Sequence, residues 1–103
     1  MADIIGRGTS PTNTFEVPVD LTGAIALKIY YSQLGRVVIE KTLADITVTA
    51  DSLVTQLTQQ ETLRFKSTEP VDIQIRARMP SGAALESEII TTDVGRVLKD
   101  EVI

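Results

Sequence analysis

The side chains in this sequence that are able to do acid–base chemistry are carboxylates, and their spacing assigns them other work. Glu40, Asp72, Glu86 and Glu88 are the candidates for a paired acid and base. Such a pair needs partial burial to drive its two pKa values apart. These four instead alternate outward along strand-like segments and face Lys or Arg across expected hairpins, so a solvated, charge-decorated strand face accounts for them. Asp20, Asp45 and Asp51 fall in expected turns. Calcium loops set several oxygen ligands at close spacing, and that pattern is missing, so turn chemistry is the better account of the three aspartates. Gly6-Arg7-Gly8-Thr9-Ser10 shares glycines and a hydroxyl with phosphate loops but lacks their preceding strand and Lys.

The chain has no His and no Cys. The usual general base near neutral pH is therefore missing, as are the commonest metal ligands and any disulfide. No Ser is followed by Lys three residues later, so that activated nucleophile is missing too. The expectation is a non-enzyme with no catalytic residues, no cofactor and no metal site.

Composition narrows the partners. A net charge of −4 argues against nucleic acid, because phosphate binding needs clustered Lys and Arg. Phe15, Phe65, Tyr30 and Tyr31 are the only aromatic residues, too few for sugar platforms or base-stacking surfaces. The apolar runs are far short of a membrane span, and the N-terminus lacks the basic start and apolar stretch of a signal peptide. The chain reads as a soluble protein made in the cytoplasm. Its 103 residues have room for one domain with one core, leaving a good share of surface for docking or oligomerisation.

The elements that hold these residues alternate with period two, in short runs separated by turn residues, as antiparallel strands with one buried face do. Thr12 to Val17 is a first strand, with Pro18 ending it or marking an edge. Ala24 to Tyr31 and Arg36 to Lys41 form a hairpin around Gly35. Pairing Tyr31 with Val37 and Ile29 with Ile39 keeps apolar residues together and sets Lys28 opposite Glu40, a charge pair of about 0.2–1 kcal/mol. Ile46 to Thr49 and Leu53 to Leu57 are joined by a tight turn at 50–52. Thr58 and Glu61 fit a capping box, so one helical turn near 58–64 bridges two strands. Val71 to Met79 and Ala84 to Thr92 flank a turn at Pro80-Ser81-Gly82. The expected register joins Ile75 to Ile89 and Met79 to Leu85, with Arg76 facing Glu88 and Arg78 facing Glu86. The fold class is all-β: an immunoglobulin-like antiparallel β-sandwich of about seven strands with that one helical turn.

The ends differ from this body. Residues 1–11 are rich in Gly, Ser and Pro and read as a flexible N-terminal arm before a sandwich over 12–92. Residues 93–103 are oddly apolar for a loose tail. Val94, Val97 and Leu98 fit one helical face, whereas Val97 and Val102 fit strand positions. The tail is either a last element packed on its own sandwich or an assembly arm. In the second case Val94, Arg96, Val97, Leu98, Val102 and Ile103 are the candidate protein-interface residues.

Several segments together resemble a family of small structural proteins of tailed phages and prophages of Gram-positive bacteria. They are Arg7-Gly8-Thr9-Ser10-Pro11-Thr12 with Phe15, Val37-Val38-Ile39-Glu40-Lys41, Leu57 through Phe65, and Val94-Gly95-Arg96-Val97-Leu98-Lys99-Asp100. More loosely, Phe15 with Asp20-Leu21-Thr22-Gly23-Ala24 is similar to the opening of the N-terminal sandwich module of phage baseplate proteins. The resemblance implies a virion component of the head–tail, tail or baseplate region. Such a protein is made in the host cytoplasm, forms homo-oligomers and contacts other phage structural proteins, and no catalytic residue comes with the resemblance. Two readings from other classes stand beside it. One is a carbohydrate- or host-surface-binding module; the other is a cytoplasmic regulatory protein encoded by a prophage.

Overall fold

The computed structural model describes residues 4–103. In chain order the elements are β1 (Ile4–Gly6), β2 (Thr12–Glu16), β3 (Ala26–Gln33), β4 (Arg36–Thr42), a 3-10 turn (Leu43–Asp45), β5 (Ile46–Val48) and β6 (Ser52–Gln56). They continue with α1 (Gln59–Thr62), β7 (Val71–Arg78), β8 (Ala84–Glu86) and β9 (Ile90–Gly95). The strands form two sheets. One is mixed and curled, in the order β1-β9-β7-β3-β4 with β8 also on β7; the other is small, in the order β2-β6-β5. This is the all-β sandwich that the alternating pattern predicts. The order β2-β6-β5 reproduces strands B, E and D of the immunoglobulin arrangement, and β9-β7-β3-β4 reproduces G, F, C and C′.

Period-two alternation decides which side chains meet between the sheets. From the large sheet come Leu27, Ile29 and Tyr31 of β3, Ile39 of β4, and Val71, Ile73, Ile75 and Ala77 of β7; Leu53 of β6 comes from the small one. Phe65, just after α1, lies against Tyr31 with ring centroids 6.3 Å apart and planes tilted by 48°. With these two rings the only fully buried aromatics, they supply a large part of the core's buried area. Burial pushes the Tyr31 phenol well above its ordinary pKa, and its hydroxyl donates to Asn13 Oδ1 at 2.7 Å.

Several expectations need correction in detail. Among the described residues there are nine strands, and one pairing is parallel: β1 lies along β9, with Ile4 opposite Asp93 and Gly6 opposite Gly95. Of the stretch read as a flexible arm over 1–11, Ile4–Gly6 therefore belong to the sheet and residues 7–11 are irregular, while residues 1–3 lie outside the described residues.

Both hairpin registers differ from those expected by two residues, and turn chemistry is the reason. Leu34 and Gly35 both take left-handed backbone (φ 53° and 75°), closing a two-residue loop that pairs Gln33 with Arg36. A bulge then takes up one residue, so Tyr31 faces Ile39 and Ile29 faces Lys41. Val37 consequently turns outward, while Lys41, two residues beyond Ile39, keeps the inward face that alternation gives it. Lys28, now opposite Thr42, still reaches Glu40 diagonally, with Nζ 2.6 Å from Oε2. In the second hairpin Gly82 (φ 91°) closes a three-residue loop that joins Met79 N–H to the Ala83 carbonyl at 2.9 Å. Arg76 then faces Glu86, and Ala77 faces Leu85. The return strand breaks between β8 and β9, where Ser87 Oγ accepts from Ile75 N–H at 2.9 Å. Ile89, expected in the core, is 62% exposed.

Strand direction defines two ends of a body measuring 47 × 25 × 25 Å. The upper end carries the loop after β2 and the turn around Gly82. The lower end carries the Leu34–Gly35 loop, α1 and the start of the tail, because β3 and β9 both finish there. Gln33 ties this end together: its side chain donates to the carbonyls of Lys66 and Glu69 at 2.8 and 2.9 Å and accepts from Lys66 N–H at 2.8 Å.

The left-handed turns carry the register, so Gly35→Ala and Gly82→Ala are each expected to cost about 1–2 kcal/mol. Gly23→Ala, with open space around its Cβ, should stay within about 0.5 kcal/mol of wild type in urea unfolding.

Candidate functional site

The carboxylates lie where solvated or turn roles put them. Glu40 pairs with Lys28, Asp72 accepts from Thr91 Oγ1 at 2.8 Å, and Glu86 and Glu88 are exposed. Asp20 accepts from the backbone N–H and hydroxyl of Thr22, which hold its pKa below the ordinary carboxylate value. Asp45 caps the 3-10 turn through Thr42, and Asp51 accepts from Thr49. Among the described residues no three potential metal-ligating side chains come together. No helix among them is long and apolar enough to cross a membrane.

Chemistry of a different kind is concentrated at the lower end. Thr58 and Glu61 form the expected capping box: Thr58 N–H donates to Glu61 Oε1 at 2.9 Å, and Glu61 N–H to Thr58 Oγ1 at 3.1 Å. The box does a second job. Lys41, on the inward face of β4 with Ile39, brings Nζ to 2.8 Å from Glu61 Oε1, both side chains being largely buried. Burial raises the Glu61 pKa, but the hydrogen bonds from Lys41 and Thr58 together with the Lys41 charge outweigh it, and the net shift is downward. Thr62, fully buried, donates its hydroxyl to the Thr9 carbonyl at 2.8 Å and so fastens α1 to the segment leading into β2.

Arg7 closes the arrangement. Its Nε donates to the Phe65 carbonyl at 2.7 Å, and Nη2 donates to the Leu63 carbonyl at 2.9 Å. The outer edge of the same guanidinium takes Asp100 in a two-pronged pair, Nη1 to Oδ1 at 2.8 Å and Nη2 to Oδ2 at 2.9 Å. One planar fork thus holds the N-terminal segment, the end of α1 and the tail. The hydrogen bond from Arg7 is the main reason the Asp100 pKa lies below its usual range. Farther along, Gln59 Nε2 donates to the Ile103 carbonyl at 3.1 Å, and Ile103 N–H donates to Gln59 Oε1 at 2.8 Å.

The tail's candidate interface residues divide into two groups. Val94 is half-buried in β9 against the core, and Val97 is half-buried beside Gly8. Arg96 is exposed. Leu98 is 101% exposed, Ile103 94% and Val102 51%. The tail is thus held to the body largely by polar groups, while three of its apolar side chains face solvent. It takes neither of the regular forms that its pattern suggests, since from Arg96 onward it has no helix or strand.

A second surface feature runs along β2, an edge of the small sheet. Val17 N–H donates to Asp51 and Leu57 N–H to Pro11, so the alternating ladder leaves the backbone groups of Thr12, Thr14 and Glu16 pointing off the sheet. They border a groove of about 430 Å³ floored by Ile73 and Ile75.

No protein-family model matches the chain, and no curated protein matches it.

Arg7, Asp100, Gln59 and Lys41 carry the lower end, and residue-by-residue reading does not single them out for that role. The capping box is the one local signal there. Arg7 and Asp100 are 93 residues apart in the chain, and Lys41, although on the face of Ile39, has a partner, Glu61, that lies 20 residues away.

Lys41→Met keeps the apolar stem and removes the charge; it is expected to lower stability by about 1–3 kcal/mol. Adding Glu61→Gln should recover part of that loss in urea unfolding, because the uncompensated carboxylate is gone. Glu61 and Asp100 both have lowered folded-state pKa values, so their contribution is complete above the unfolded carboxylate value of about 4. It is lost as pH falls through the folded values. The urea midpoint of a Glu61→Gln/Asp100→Asn variant should therefore fall less steeply on acidification than that of wild type.

Proposed function

We propose that this chain is a non-enzymatic structural component of a tailed-phage particle, working through contacts with copies of itself and with other structural proteins. The observation that carries the reading is the tail. Leu98, Val102 and Ile103 are presented outward at one end of a compact sandwich, on a segment anchored by charge-assisted and backbone hydrogen bonds. Apolar side chains gathered on a tethered segment are the feature a neighbouring subunit buries. A small body of this size gains from such burial, since its own core is limited.

The head–tail, tail or baseplate region is favoured by the resemblance of the 7–12, 37–41, 57–65 and 94–100 segments to structural proteins of Gram-positive phages. On this reading the protein is made in the host cytoplasm and ends in the virion. The available chemistry agrees: most of the candidate carboxylates serve turns, caps or ion pairs, and the groove of about 430 Å³ is bordered by an edge strand.

The test is the solution mass of the full chain against a chain ending at Arg96, by light scattering on a size-exclusion column, with peptide mass spectrometry of purified particles. Truncation there spares β9, which the core needs. The expected result is a defined oligomer for the full chain, a folded monomer for the truncated one, and the protein in particles at many copies. Monomers in both cases, together with absence from particles, would remove the reading.

A further inference from the structure

We infer that the tail is an exchangeable strap: residues 97–103 of one copy occupy, on a second copy, the place that they take on their own body here. This deepens the proposed function and rests on its reading that the chain associates through protein contacts.

The receptor for the strap is present on every copy. It consists of the Arg7 guanidinium, already oriented by the carbonyls of Leu63 and Phe65, and the side-chain amide of Gln59. The strap brings Asp100 to the first and the backbone of Ile103 to the second. Each of these contacts can be remade unchanged with the tail of a neighbour. Exchange then conserves the contacts per chain, and the balance is decided by the linker and by any new contact between the chains.

Three observations favour the second copy as occupant. First, the anchors are polar and lie near the distal half of the strap. Around the first anchor, the Lys99–Glu101 ion pair at 3.2 Å and the Glu101 N–H to Lys99 carbonyl bond at 3.0 Å are local to the strap and travel with it. Second, folding back in cis leaves Leu98 and Ile103 almost wholly in water. Two straps crossing between the same two bodies would bring both sets of apolar side chains to one place, which a lone copy has no means of doing. Third, β9 ends at Gly95 at the lower end, on the side where the strap leaves, and Arg7 N–H donates to the Gly95 carbonyl at 3.2 Å. The start of the strap is thus fixed beside its receptor, so a short change of direction after Gly95 redirects the whole segment without disturbing the sandwich.

The geometry predicts an isologous pair: each protomer's strap on its partner's body, with the lower ends facing. Charge reversal at the clasp tests it directly. Arg7→Glu and Asp100→Arg chains each set like charges together in any closed or self-exchanged form. In a one-to-one mixture only the exchanged heterodimer has both clasps matched. Native mass spectrometry should show the mixed dimer roughly tenfold or more above either self-dimer. Circular dichroism melts of each chain verify that the bodies fold.

A second variant leaves Arg7 intact. A Cβ at Gly8 would lie 3.7 Å from Val97 Cγ2, and the left-handed backbone there (φ 78°) makes the substitution destabilising, so a melt of the reduced variant accompanies the test. Gly8→Cys/Val97→Cys, oxidised at high protein concentration, should yield a discrete covalent dimer with two bridges, in a chain otherwise free of cysteine. Only intrachain bridges, or a charge-reversed mixture with no heterodimer, overturns the exchange. If wild type nevertheless forms tail-dependent oligomers, the tail docks elsewhere on its neighbour and the function proposed above survives. If wild type stays monomeric and is missing from particles, both fail.

Discussion

A guanidinium carries five N–H donors in a fixed plane, and the lower end of this protein is organised around one of them. Arg7 turns one edge to the Leu63 and Phe65 carbonyls that close the loop between β6 and β7, and the other edge to Asp100. Without the inner contacts two carbonyls at the base of the core would lose a charged donor. Without the outer one the tail would hang from β9 on the Gln59 contact alone. Lys would not serve in its place, because a point charge cannot bridge two carbonyls and a carboxylate in one plane.

The neighbouring polar contacts show why this end is well ordered even though its chain is irregular. Between β6 and β7 the backbone leaves regular sheet, and its polar groups need partners. Gln33, Thr62 and Arg7 supply them from three directions, while Glu61 serves as both helix cap and partner of Lys41. No buried side-chain nitrogen or oxygen among the described residues is left unsatisfied. Such networks specify one arrangement, because breaking any member leaves a buried group without a partner. Phe65 is thereby delivered against Tyr31, linking the polar loop to the apolar core.

On the proposed function, a body whose described buried polar side chains are all paired, carrying a polar-anchored, apolar-tipped tail, suits assembly, in which one surface must be preorganised and another free to choose its partner. Preorganisation lowers the ordering cost of association. The exposed backbone of β2 beside its groove is a separate edge that any assembly would have to cover or leave in water.

Alternating apolar residues along the chain were enough to determine the fold class and the inward faces of Leu27, Ile29, Tyr31, Val71, Ile73, Ile75 and Ala77, and the Thr58-x-x-Glu61 spacing determined the capping box. These are local properties: strand periodicity and a cap three residues long follow from the backbone itself. The hairpin registers were only partly legible, because a shift of two residues preserves the alternation of faces, and the bulge that turns Val37 outward has no local mark. What decided them was the left-handed backbone at Leu34, Gly35 and Gly82. The strand order, the parallel pairing of β1 with β9 and the pairing of Arg7 with Asp100 were decided by tertiary structure alone. Each joins residues far apart in sequence, and nothing in the local pattern of either partner encodes the other; only the closing of the sandwich brings both ends of the chain to one guanidinium.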